Sequence, residues 1–296
     1  VTELWGKGRI ISDKTAREVL QAVGVPPDCE FVGGDSQTDL DYVHRRTSET
    51  DIYFVANRNA RPEQVTAIFR MAGKAPELWD PVAGERRFVK VYAEKDGRTS
   101  VPLDFPPCGA WFVVFRESAS LHPAQEGVPS TRWTVLHEFS SPWRVTFDPK
   151  WGGPGQVTFE KLESWTDHPE PGIRYYSGTA IYENEFEVPE AWIAKELGQL
   201  WLDLGSVREL AEVYVNGRSC GIVWAPPFRV DIGGVIRAGK NHLRLEVVNF
   251  WPNRIVGDAS LPEEKRLTRT NIRKLTADTE LMPSGLFGPV QIGRVE

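Results

Sequence analysis

The sequence predicts a mainly β protein, read as an α/β segment over residues 1–42, an antiparallel β-sandwich over 43–118, a linker at 119–131 and a larger β domain over 132–296. Three observations carry this. Leu200, Leu202 and Leu204 alternate with Trp201 and Asp203, and Leu243, Leu245 and Val247 alternate with Arg244, Glu246 and Val248, which is the two-residue period of half-buried strands. Between these runs Val213 and Val215 lead into Asn216-Gly217, a pair that tolerates positive φ at both central positions of a type I′ turn. A hairpin returning through Ile222 and Val223 is therefore expected. Upstream, short apolar runs are punctuated by Gly73, Pro76, Gly84, Asp96-Gly97 and Pro106-Pro107 at the spacing of a sandwich.

In chain order, GKGRII (6–11) reads as a short strand. The segment SDKTAREVLQAVG comes next as a helix, with Ser12 as N-cap candidate, Ala16, Val19, Leu20 and Val23 on one face, and Gly24 as the stop. One strand and one helix cannot bury their own apolar faces, so residues 1–42 are expected to be the tail of an upstream domain or to pack on the sandwich after them. The sandwich strands are DIYFVANR, QVTAIFRM, PELWDP, RRFVKVYAE, TSVPLDF and GAWFVVFRE. SASLHPAQEGVPST is polar, Pro-bearing and aperiodic, and supplies the linker. The last domain opens with WTVLHEF, WRVTFD and GQVTFEKLESW, passes a loop at DHPEPG, and continues through YYSGTAIYENEFEVPE, where Ala180 and Tyr182 alternate as in a sheet strand. No internal repeat and no low-complexity tract is visible.

Composition narrows the function classes. With 41% hydrophobic and 26% charged residues over 296 positions, the chain can fill large cores, in two domains or more. A net charge of −6 without a basic run gives no general attraction to a phosphate backbone, so nucleic acid is set aside as a partner. No apolar run approaches the roughly 20 residues of a membrane span, which sets the membrane aside too. The start at Val1 reads as a mature chain or an excised piece, so the missing signal peptide says nothing of compartment. Cys29, Cys108 and Cys220 are odd in number and far apart, the pattern of buried free thiols rather than of disulfides or a zinc site.

Catalytic signatures are absent. A (β/α)₈ barrel of about 250 residues needs eight strand–helix units, and only one is seen. There is no G-x-S-x-G elbow, P-loop, H-E-x-x-H or dinucleotide fingerprint. His44, His122, His137, His168 and His242 form no i, i+4 pair and have no carboxylate at metal-ligand spacing. With 41 Asp and Glu residues, a carboxylate pair can always be imagined, so counting acids decides nothing.

LDLG (202–205), AEVYVNG (211–217), the G-x-x-W-x-x-P-F run at 221–228 and VVNFWPNRIVGD (247–258) together resemble the sugar-binding jelly roll of glycoside hydrolase family 2. VHRRTSETDIYFVANR (43–58) is similar to the segment after the catalytic barrel in α-L-rhamnosidases of glycoside hydrolase family 106. The resemblance implies a β-sandwich followed by a galactose-binding-like jelly roll, lying C-terminal to a barrel that carries the catalytic acid and base. It also implies carbohydrate and the upstream catalytic domain of the same polypeptide as partners, and a secreted or periplasmic protein acting on polysaccharide. No catalytic residue is assigned. No cofactor is expected; related jelly rolls sometimes hold calcium, but no D-x-D-x-D-G loop appears, so no ligand is named.

Sugars present an apolar C–H face and a rim of hydroxyls, which suits a flat aromatic ring beside amides and carboxylates. The carbohydrate-binding candidates are therefore Trp224, Phe228, Asn249, Trp251, Asn253, Arg254 and Asp258. Pro252 ends the strand NHLRLEVVNF and leaves the Trp251 group at a strand end. Two other possibilities stand: Trp251 plugs the sandwich edge while Arg254 and Asp258 pair with each other, and Trp224, Pro226, Pro227 and Phe228 form a packed corner. Trp201 faces away from the leucines, where another domain is expected to cover it. His44, Arg45 and Arg46 either reach a sugar or form an ion-paired junction with Asp39, Asp41, Glu49 or Asp51. The competing functions are a free-standing carbohydrate-binding module, a structural or oligomerisation region, and a complete small hydrolase.

Overall fold

A computed structural model describes residues 2–125, 133–140, 142–193, 199–271 and 274–295. Two compact units are present, Val1–Pro129 and Ser130–Glu296. From residue 126 to its end, the expected linker lies outside the described residues.

In the first unit, Cys29–Val32, Glu63–Phe69, Arg98–Phe105 and Ala93–Lys95 form one sheet in that order, and Leu40–Arg46, Asp51–Asn57, Ala110–Ser118, Lys74–Trp79 and Arg86–Phe88 form the other. All pairings are antiparallel. The alternation of DIYFVAN points Tyr53 and Val55 inward, where Tyr53 meets Phe69 of the opposite sheet at 4.7 Å between ring centroids. Phe69 in turn meets Phe115 at 5.4 Å, so the two sheets share one core.

One strand of this sandwich, Cys29–Val32, lies before residue 43, and a second, Leu40–Arg46, begins before it. Both are edge strands, one four residues long and the other, LDYVHRR, rich in charge, as unpaired edges must be to avoid adding further strands. The single strand expected at RRFVKVYAE is two short ones, Arg86–Phe88 and Ala93–Lys95, in different sheets; Val89 and Tyr92 are buried where the chain crosses between them. At the N-terminus, Thr2–Trp5 and Gly8–Ile11 make a hairpin. The helix is Ala16–Ala22, capped by Thr15 rather than Ser12, with Thr15 and Glu18 in a reciprocal capping box. None of its residues is buried.

In the second unit, a six-stranded sheet runs Gln156–Phe159, Trp143–Phe147, Thr179–Val188, Gly239–Val248, Leu210–Val215, Arg218–Val223. A four-stranded sheet, Trp133–Glu138, Gln291–Val295, Trp201–Asp203, Arg229–Asp231, and the pair Ser206–Arg208 with Gly285–Gly288 complete the jelly roll. Leu200, Leu202, Leu204, Leu243, Leu245 and Val247 are all buried in its core, beside the large side chains Trp143, Trp165, Tyr176 and Tyr182. Trp165 satisfies its buried indole N–H by donating to the Tyr182 hydroxyl at 2.6 Å. Asn216 and Gly217 have φ of 52° and 78°, and the hairpin turns there as the Asn-Gly pair requires.

The segment after the last long strand is a helix, Pro252–Ala259, with Pro252 in its first turn where no amide hydrogen is missed. Of the three cysteines, Cys29 is buried but Cys108 is exposed, against the expectation of three buried thiols. Cys108 sits in the turn after Pro106-Pro107 at a φ of 53°.

Candidate functional site

Strand register gathers the aromatic candidates at one end of the six-stranded sheet. Val223, Ala211, Val247, Ala180 and Phe147 pair in succession across five strands. Beyond that row the chain leaves or enters the sheet at Trp224, at Asn249 to Trp251, at Tyr175 to Gly178, and at Asp148 to Trp151. Four steps of about 4.8 Å separate the outermost of these strands, so the loops span about 19 Å.

At this end Trp251 is 62% exposed, Trp224 57%, Phe250 52% and Trp151 41%. Trp151 and Trp251 touch edge to face, with centroids 6.1 Å apart and planes at 85°. Trp151 lies in a 3-10 turn capped by Asp148 and is followed by Gly152, whose φ of 80° favours glycine. Trp151, Phe250 and Tyr175 were not among the residues expected from sequence. The signal for Trp151 lay in the turn DPKWGGPG directly after the strand WRVTF.

The polar candidates point inward. Asn249 accepts from the Gly178 amide at 3.0 Å and donates to the Tyr176 carbonyl at 2.9 Å and to Ser284 Oγ at 3.0 Å. Asn253 donates to the Met282 carbonyl at 2.7 Å and to Ser284 Oγ at 2.9 Å, and accepts from the Met282 amide at 2.8 Å. Ser177 donates to the Trp251 carbonyl and accepts from the Arg254 amide. Arg254 and Asp258 pair at 3.0 Å, one helical turn apart, and the other Asp258 oxygen accepts from the amide and hydroxyl of Thr268. These buried groups form a floor that fixes the backbone carrying Trp251; they do not line the surface. Phe228 is buried too, at the corner where its carbonyl accepts from the Leu204 amide, while Trp224 of the same run points out.

In the first unit, His44 bridges two carboxylates. Nδ1 lies 2.8 Å from Asp28 and Nε2 lies 2.9 Å from Asp51, while the ring stacks on Tyr53 at 3.9 Å. Arg46 also donates to Asp51. The cluster is an ion-paired junction, with Asp28 as a partner not foreseen from sequence. Among the described residues no group of three or more His, Cys, Asp or Glu is placed to hold a metal ion, and no helix is long and apolar enough to cross a membrane. No calcium site is assigned.

The second unit is thus an antiparallel jelly roll with exposed tryptophans at one end of its larger sheet. The chain belongs to the family of the glycosyl hydrolases family 2 sugar binding domain, whose sequence model matches residues 120–278. Residues 1–94 match the alpha-L-rhamnosidase model of glycosyl hydrolase family 106. A solved rhamnosidase from Novosphingobium sp. PP1Y is 36% identical, with a TM-score of 0.86 over 98% of this chain and 27% of that chain. A Formosa agariphila protein provisionally named a beta-glucuronidase is 35% identical over 173 residues, 51% of this chain and 15% of that protein. The chain thus spans about a quarter of the rhamnosidase and less of the Formosa protein.

Proposed function

We propose that this chain is a non-catalytic accessory region of an α-L-rhamnosidase-like glycoside hydrolase acting on polysaccharide, and that it binds carbohydrate at the tryptophan end of its jelly roll. The observation that carries this is the co-location of Trp151, Trp251 and Trp224, which come from three separate loops yet stand exposed at one end of a single sheet. Adjoining exposed aromatic rings, such as Trp151 and Trp251, mark a candidate surface for a ligand or partner. Behind Trp251, the Asn249 and Asn253 hydrogen bonds fix its backbone before any ligand arrives, and such preorganisation lowers the entropy lost on binding.

Three carboxylates of the first unit are shifted in the direction opposite to that of a catalytic acid. A glycosidase acid needs a raised pKa. Glu18, Asp35 and Glu63 are instead all held below the ordinary carboxylate value, by the Thr15 amide, the Arg61 guanidinium and the Asn59 amide respectively. The inward orientation of Phe228, Asn249, Asn253, Arg254 and Asp258 favours one second reading, in which the tryptophan end docks the catalytic domain instead of sugar.

Calorimetric titration with rhamnose-containing oligosaccharides, alongside an assay for released sugar, tests both. Binding without release, weakened by Trp251→Ala at unchanged thermal stability, is expected. Binding unaffected by Trp251→Ala and Trp224→Ala removes the rim.

A further inference from the structure

We propose that a cavity of the jelly roll, between the 166–175 segment and the 277–281 segment, is a subsite for one neutral pyranose. The proposal rests on the carbohydrate-binding function above and adds a place and a ligand charge to it. The cavity measures about 340 Å³, within the roughly 300–1,000 Å³ of small-ligand sites and at the end suited to a single ring.

It adjoins the tryptophan end through Tyr175 and lies against another face of the helix that follows Trp251. Val256 forms part of the lining and lies five residues beyond Trp251, about 140° further around the helix axis and about 7.5 Å along it. The cavity therefore opens on a different side of the same helix. Val256 and Leu281 supply apolar surface for a C–H face, and Tyr175 adds an aromatic wall, with the Arg174 guanidinium 5.9 Å over its ring.

The polar groups decide what enters. Asp167, Asp278 and Glu280 line the cavity with Arg174, all four at exposed positions. Carboxylates accept from sugar hydroxyls and a guanidinium donates to them, so a neutral polyol can use both kinds. Three carboxylates against one guanidinium repel an anion, which disfavours uronic acids and phosphate esters. The acids do not form a metal-binding group either. A neutral pyranose is what remains.

The test uses the full 296-residue chain, with saturation-transfer NMR and calorimetry against methyl α-L-rhamnopyranoside and D-glucuronate. The neutral glycoside is expected to bind at least about tenfold more tightly than glucuronate. Arg174→Ala and Glu280→Gln, both at exposed side chains, are each expected to weaken it about tenfold, the loss of a hydrogen bond to a charged group. Thermal unfolding of each variant should match the parent. If Trp251→Ala abolishes binding while Arg174→Ala and Glu280→Gln do not, the subsite is overturned and sugar binding belongs to the tryptophan end alone. Tighter binding of glucuronate overturns the charge selectivity. If no neutral pyranose binds while a longer oligosaccharide does, the subsite falls and the tryptophan end stands; if neither binds, both fall.

Discussion

Asn253→Ala separates a side chain that holds the site from one that forms it. Asn253 is 1% exposed and makes three hydrogen bonds, two to the Met282 backbone and one to Ser284 Oγ. Each is worth about 1 kcal/mol net, and a buried partner left unpaired costs about 1–3 kcal/mol more, so the loss should be about 4–6 kcal/mol. For a unit of this size that lowers the melting temperature by about 8–24 °C. Trp251→Ala removes an exposed ring and one edge contact to Trp151, and should cost less than about 1 kcal/mol. Calorimetric unfolding of both variants reads this difference directly. Oligosaccharide affinity should fall in both, with a stability change only in Asn253→Ala. An Asn253→Ala protein melting within a degree or two of the parent would refute the buried floor.

Other expectations rest on single contacts. A methyl at Gly205, where φ is 66°, would lie 2.3 Å from the Gly288 carbonyl, so Gly205→Ala should destabilise the jelly roll by about 3 kcal/mol or more in urea titration. Asp35 is held low first by its hydrogen bonds from Arg61, so its contribution is full above the ordinary carboxylate pKa of about 4 and is lost as pH falls below it. Hydrogen exchange of the Asp51–Asn57 amides should therefore show a steady stability from pH 7 to 5 and a decline in more acid solution, shallower in Arg61→Ala. Burial pushes the Cys29 thiol up to about 12, whereas Cys108 is exposed. Iodoacetamide at pH 8 should modify Cys108 in the folded protein and Cys29 only as the first unit unfolds, as read by peptide mass spectrometry.

What the sequence disclosed and what it hid have physical reasons. Leu243, Leu245 and Val247 were legible because a central strand buries every second side chain, and Asn216-Gly217 because few pairs accept that turn. Leu40–Arg46 was hidden because an edge strand bonds on one side only and carries charge on its exposed positions. The helix Pro252–Ala259 was hidden because it is only eight residues long and Asn253, Arg254 and Asp258 fill most of its inner face, so burial does not follow its apolar positions. The same inward turn explains why these candidates lie beneath the surface and not on it. Trp151 joins Trp251 only through the pairing of Phe147 with Ala180 and of Ala180 with Val247, contacts between residues far apart in sequence.

Calorimetric titration of the intact chain with rhamnose-containing oligosaccharides, with released sugar assayed in the same samples, bears most directly on the proposed role. Saturable binding without release is the expected result. Release of sugar would contradict the non-catalytic role, and the absence of any binding would contradict a carbohydrate site on this chain.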